Sequence, residues 1–342
     1  MAKSRLAVNA AIVFVVLLAG SLIAQAQNSR SFIASFGSDA ADCTTPAAPA
    51  GGVGACRSIN GALAKTNAGG EIDAVDPAEY NPGGFTISII KSITIDGSGA
   101  GLAGVSATNA GSVISIGATA ATDVVVLRAL SVNGRGSAAF GIGVIGGQSI
   151  AQLHIENCVI SNVNGTGPVG APTGILFAPT NDGARLFIRD TISRNNGFAG
   201  VGDGLSVLNS GTVGNRSLVT INRSSFSGNV NNGVSVSVGS QVTMRDSSTT
   251  GNGGSGINVE ATAGTAQLLA ETVVTSNNGF AGLSVGGLGF ASTARISNLT
   301  VTNNNQGVIT SAGGTVVTFG NNRSAGNVSN NVAAILVSVA AF

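Results

Sequence analysis

The 342 residues include no tryptophan, one tyrosine (Tyr80), one histidine (His154) and three cysteines, and only 9% of the chain is charged. Each shortage excludes something. A single histidine rules out a Cys/His zinc site, and its neighbours Leu153 and Ile155 rule out a Gly-His-Gly motif. Sixteen basic against fifteen acidic residues leave a net charge of +1 with no basic cluster, so nucleic acid has no electrostatic footprint to bind. No two acidic residues are adjacent anywhere in the sequence, which removes the simplest paired-carboxylate motifs. Sugar-binding grooves stack pyranose rings on flat aromatic faces, and here only phenylalanine is plentiful. Its 13 copies are expected in the core, with Phe187 as the exception.

What is abundant is glycine, 51 residues, within a chain that is 43% hydrophobic. That apolar content is too high for a disordered linker. Lys3 and Arg5 precede an apolar run from Ala10 to Ala24, and Ala24-Gln-Ala26 supplies the small residues of a cleavage site. Residues 1–26 therefore read as a secretory signal peptide cleaved after Ala26, and no second apolar run of membrane-spanning length follows. A secreted or periplasmic protein with no membrane contact after cleavage is expected. In that compartment Cys43 and Cys56, which flank a Pro/Gly/Ala-rich loop, are expected to form a disulfide. Cys158 reads as a buried hydrophobe. Ser58 to Lys65 (SINGALAK) has helical spacing, with Ile59, Ala62 and Leu63 on one face and Ser58 as N-cap. It would plug the end of whatever follows, so residues 27–70 are assigned to an N-terminal cap and 71–342 to the main body.

That body is a repeat. Around Ile221, an apolar residue lies two before (Val219), another five after (Phe226), an asparagine eight after (Asn229), and Gly233-Val-x-Val236 starts a second strand. The same grammar is read at Met244, Leu269 and Ile296, more loosely at Ile155 and Ile188, and weakens at Phe319. Asn195-Asn-Gly-Phe-Ala-Gly200 returns verbatim as Asn277-Asn-Gly-Phe-Ala-Gly282. Strands of period two separated by Asn/Gly turns, at steps of 23 to 33 residues, indicate a solenoid with three short strands per coil. The excess in the longest steps falls in residues 164–172, 177–183 and 208–217, loops where a solenoid tends to carry its function.

The repeat, the helical plug and the segment Phe85-Thr-Ile87 followed by Thr94-Ile-Asp-Gly97 resemble the right-handed parallel β-helix proteins of the pectin-lyase-like superfamily. The likeness is to secreted bacterial β-helix repeat proteins, and it covers about residues 30 to 330. It implies an all-β, right-handed parallel β-helix of about ten coils behind a short capping helix. It also implies an asparagine ladder at one bend, formed by Asn229, Asn252, Asn277, Asn304 and Asn327. The superfamily spans pectate lyases, polygalacturonases, pectin methylesterases, adhesins and phage tailspikes, so the likeness selects no reaction.

Two external columns follow from the repeat. One runs Arg128, Glu156, Arg189, Asn222, Arg245; the other runs Asn157, Asp190, Arg223, Asp246, Glu271, Asn298. Alternating sign suits an ion ladder, in which Arg223 separates Asp190 from Asp246. Asp246 beside Glu271 is the one pair of carboxylates that could do acid and nucleophile work on a glycoside. Asp190, Arg223, Asp246 and Glu271 are thus the weak catalytic candidates. No metal or cofactor is expected. The function expected is a non-catalytic surface or envelope protein that recognises polysaccharide or cell-surface glycan. A polysaccharide lyase, glycoside hydrolase or pectin-esterase-like enzyme with a degenerate site is the alternative.

Overall fold

The computed structural model describes residues 28–109, 111–117, 120–165, 172–333 and 336–338; the expected signal peptide lies outside them. Short strands alternate with corners, and every strand pairing is parallel to the equivalent strand one coil on, as in Gln152–Glu156 against Ala184–Arg189 and Ala184–Arg189 against Ser217–Asn222. Three such lines of strands wrap a single core. The first and second merge where Ser240–Thr250 and Thr265–Ser276 run on through the corner between them. The third is a separate sheet of ten strands. This is a parallel β-helix with three strands per coil. Along each strand residues alternate inward and outward, and the inward ones, such as Leu153 and Ile155, Leu186 and Ile188, Val219 and Ile221, stack at roughly 4.8 Å intervals. No helix of the described residues is long and apolar enough to cross a membrane.

One end is sealed. The helix α1, Ile59–Leu63, buries Ile59, Ala62 and Leu63, and Ser58 Oγ accepts from the Gly61 N–H at 3.0 Å. Asp39 holds that cap in turn, accepting from the Arg57 and Ser58 N–H groups. Cys43 and Cys56 form the expected disulfide; closing a loop of this length contributes about 3 kcal/mol. Strand Asn28–Ile33 pairs with Thr66–Ala74, so the first sheet already takes in residues from the capping segment. Tyr80 is fully buried here, with its hydroxyl donated to the Asp76 carbonyl. Burial pushes its pKa up to about 12, and its ring is unavailable to a sugar.

The corners explain the asparagines. At the second corner, between the second and third sheets, Asn196, Asn229, Asn252, Asn278, Asn304 and Asn327 stack. Each Oδ1 accepts the backbone N–H of the preceding coil, as in Asn229 N–H to Asn252 Oδ1 at 3.0 Å. Each Nδ2 from Asn196 onward donates to the next Oδ1 at 2.8 to 3.0 Å. A buried bend leaves N–H groups that need acceptors, and this ladder supplies them. Asn277 is not a member. It is exposed, in the left-handed conformation at φ 57, as are Asn195 at 54 and Asn303 at 56, where other coils place Gly228, Gly251 and Gly326. In each Asn-Asn pair the first residue makes the turn and the second joins the ladder. The first corner has a shorter ladder of hydroxyls: Thr191, Ser224 and Ser247 accept from the N–H groups of Cys158, Thr191 and Ser224 at 3.1 to 3.3 Å. Cys158 is buried at its end, and desolvation pushes its thiol up to about 12.

The register corrects two anchors. Met244 stacks on Ala270, not Leu269, and Ile296 on Thr318, not Phe319. Leu269 faces outward on the neighbouring row. On the second sheet, buried Thr249 and Thr275 have hydroxyls with no hydrogen-bond partner among the described residues, while the next residue of that stack is Val301. Thr275→Val should therefore raise stability by about 1 kcal/mol, since it removes an unsatisfied buried hydroxyl without changing shape. Urea denaturation of the variant checks this.

Candidate functional site

The outer face of the first sheet displays the charged column, longer than expected. In register it reads Asp73, Asp96, Arg128, Glu156, Arg189, Asn222, Arg245, Glu271, Ser297. Arg128 bridges Asp96 at 2.9 Å and Glu156 at 3.0 Å, and Arg189 reaches Glu156 at 3.6 Å. Asp96 is nearly buried, which would raise its pKa, but the bonds from Ser98 and Arg128 outweigh burial and hold it below the usual carboxylate range.

Asp190, Arg223 and Asp246 belong to the first corner, where all three are left-handed, φ 51, 45 and 47. Arg223 grips Asp190 with two bonds, 2.8 and 2.9 Å, and these keep the Asp190 carboxyl low. Glu271 is the correction. Because Ala270 rather than Leu269 faces inward, Glu271 stands opposite Arg245 and pairs with it at 2.8 Å. The residue that follows Asp246 along the corner is Thr272. Arg245, Asp246, Glu271 and Thr272 line a shallow depression of about 400 Å³, with the two carboxylates on separate rows and an arginine between coils. Glu271 is thus held in an attractive pair, so Glu271→Ala should lower the melting temperature slightly rather than raise it, and Asp246→Ala should lower it slightly too, because alanine tolerates the left-handed backbone at φ 47 less well than aspartate. Thermal melts of both variants distinguish this from a strained carboxylate pair, whose relief would raise stability.

Sequence reading missed a second acidic group. Glu71, Asp73 and Asp96 bring carboxylate oxygens within 4.8 Å of one another. Burial, then the Asp73 charge, raises the pKa of Glu71, while Arg30 pairs with Asp73 and Arg128 with Asp96. The two arginines occupy the trio as counterions. Elsewhere on the face His154 stacks on Phe187 with ring centroids 4.6 Å apart. That contact covers one face of each ring.

The phenylalanines are the larger surprise. Only Phe140, Phe177 and Phe226 of the described ones are buried, while Phe85, Phe198, Phe36, Phe280, Phe290 and Phe319 are exposed. Two of these come from the duplicated hexapeptide at the second corner: Phe198 is 52% and Phe280 44% exposed. The copies diverge after phenylalanine. In the second copy Gly282 begins the next strand's approach; in the first, four extra residues form a tight hairpin closed by reciprocal bonds between Phe198 and Val201, and Gly204 takes the role of Gly282. Between the two rings along the corner lie Asn231 and Gly254 in the Phe280 row, with Val230, 37% exposed, and Gly253 beside them. Three coil steps separate the rings, about 14 Å. A further groove of about 420 Å³ opens under the loop Leu208–Arg216, against Val238, Gly239 and 263–265.

No family model matches the sequence, and no curated protein matches it. Among solved structures, the crystal structure of pectate lyase Pel9A is similar, with a TM-score of 0.54 and 14% identity over 84% of this chain and 74% of that one. At that identity the likeness concerns the fold alone.

Proposed function

We propose that this protein is exported and acts as a non-catalytic carbohydrate-binding solenoid, holding an extended polysaccharide or cell-surface glycan along its second corner. The handedness we assign is right-handed, on the rule that governs parallel crossovers. The reading is carried by Phe198 and Phe280, two exposed rings on one edge with an uncharged stretch of Val230, Asn231, Gly253 and Gly254 between them. An elongated edge gathers affinity from several shallow contacts. Segments 195–202, 228–235, 251–258 and 277–284 contain no charged residue, which suits a neutral glycan better than a uronate. The alternative, a lyase, hydrolase or esterase, draws on the pectate lyase neighbour, and its candidate carboxylates Asp190 and Glu271 are already engaged by Arg223 and Arg245.

A glycan array with neutral and uronate polymers, run beside a reducing-end and unsaturated-product assay, tests this. Binding to neutral polymers without product, lost in Phe198→Ala and Phe280→Ala at unchanged melting temperature, is expected. Product formation by the wild type would establish the enzyme instead.

A further inference from the structure

The charged column of the first sheet has one neutral rung between two arginines. In register Arg128, Glu156, Arg189, Asn222, Arg245 and Glu271 stand one coil apart, so the signs run plus, minus, plus, neutral, plus, minus. Glu156 shows how a charged rung works. It lies between two arginines, its carboxylate 3.0 Å from Arg128 and 3.6 Å from Arg189. Asn222 lies between Arg189 and Arg245 in the same way, about 5 Å along the stack from each, and has no charge to offer them.

Both arginines keep donors for a further partner. Arg189 makes only long contacts, 3.6 Å to Glu156 and 3.6 Å to Asp190, beyond hydrogen-bond range. Arg245 commits Nε to Glu271 at 2.8 Å, and its terminal nitrogens have no partner among the described residues. Asn222 accepts through its backbone carbonyl from the Asp190 N–H at 3.2 Å and Ser224 Oγ at 2.8 Å; its side chain has no partner among the described residues. Beside this part of the column the outer face carries Thr220 and Thr243, which are too small to cover it. In residues 184–190, 217–223 and 240–246, the strands and corners of these three coils, four arginines (Arg185, Arg189, Arg223, Arg245) stand against two acids, Asp190 and Asp246. Arg223 already holds Asp190, and Asp246 belongs to the corner row, outside the column.

We propose that Asn222 marks a carboxylate-binding site: a ligand carboxylate lies over Asn222 and accepts from Arg189 and Arg245, as the Glu156 carboxylate lies between Arg128 and Arg189. Guanidinium groups on either side suit the two oxygens of a carboxylate, and the Asn222 amide nitrogen supplies a neutral donor between them. The carboxylate belongs either to a free small acid or to an acidic oligosaccharide. This site is on a different face from the edge that carries Phe198 and Phe280, and it does not rest on the function proposed above.

The test is an NMR titration of the protein at constant ionic strength, with acetate replacing chloride, read at the Asn222 side-chain amide and the arginine Nε–H groups. Saturable shifts confined to Arg189, Asn222 and Arg245 are expected, with a Kd on the order of 10 mM because exposed ion pairs are weak. Asn222→Asp places a carboxylate of the protein's own at this rung, and Asp96, 2.9 Å from Arg128, shows that an aspartate in this column reaches a neighbouring arginine. That variant should weaken acetate binding by roughly tenfold or more and melt slightly higher than the wild type. Arg189→Gln, which removes one side of the site, should weaken acetate as well, whereas Phe198→Ala should leave it unchanged. A hyaluronate tetrasaccharide that binds much more tightly than acetate identifies the acidic oligosaccharide as the source of the carboxylate; equal affinity identifies the free acid. Shifts that spread over all the arginines without saturating, or that persist undiminished in both Asn222→Asp and Arg189→Gln, overturn the site.

Discussion

Asn252→Ala is expected to destabilise the protein by about 4 kcal/mol. The substitution orphans the Asn229 N–H and one Nδ2 proton of Asn229, both buried, and removes the side-chain donor to the Phe226 carbonyl and one of the two donors to the Asn278 Oδ1, which keeps the Asn252 backbone N–H. Each unsatisfied buried group costs about 1–3 kcal/mol, and the neighbours on either side cannot move to compensate because they are held by the same ladder. Asn277→Ala, one residue from a ladder position, should cost no more than about 1 kcal/mol, the preference of asparagine over alanine for a left-handed turn. Denaturant melts of the two variants should differ several-fold in their effect. Equal effects would mean that the ladder is not what holds the corner.

Gly233→Ala should be at least as damaging, again about 4 kcal/mol, for a different reason. A Cβ at Gly233 would sit 2.6 Å from the Gly256 carbonyl oxygen, 2.9 Å from the Asn252 amide nitrogen and 3.0 Å from Thr249 Cβ. The backbone oxygen has nowhere to go, so the strand must shift and the ladder with it. Gly174, Gly204, Gly256 and Gly282 face the equivalent ladder amides at 2.6 to 2.9 Å, which is why these coils carry glycine at the start of their third-sheet strands. Gly251→Ala is the contrast: nothing lies within 4 Å of its Cβ, but φ is +65, and it should cost about 1–2 kcal/mol through backbone strain alone. A melt in which Gly233→Ala is no worse than Gly251→Ala would contradict the packing argument.

Much of this architecture was legible because period-two alternation and the Gly-apolar-x-apolar grammar are local signals that stacking merely repeats. The capping helix and the Cys43–Cys56 bridge were legible for the same reason. Register was harder to read. In Gln267-Leu-Leu-Ala270 the inward pair is Leu268 and Ala270, and hydrophobicity alone ranks Leu269 above alanine. The small residue is tolerated inside because Met244 and Ile296 flank it along the stack, a fact of packing that no local pattern contains. That single slip moved Glu271 by one row and created a carboxylate pair where the molecule has an ion pair. It also put Asn277 in the ladder in place of Asn278.

The exposed phenylalanines were misjudged on composition. A residue type that is usually buried was assigned to the core, yet Phe198 and Phe280 follow Asn-Gly at the outer side of a corner, where no inward position remains. The signal available was the verbatim hexapeptide itself: repetition fixes a corner position, and the residue after Asn-Gly at that corner points away from the core.

The measurement that bears most directly on the central claim, an extended edge that binds without turning over its ligand, is a calorimetric titration with neutral oligosaccharides of increasing length, each mixture then assayed for new reducing ends. Affinity should climb with length until the ligand reaches from Phe198 to Phe280, Phe280→Ala should flatten that climb, and no product should form. Affinity indifferent to length and to Phe280, or product that disappears in Glu271→Ala, would contradict the account.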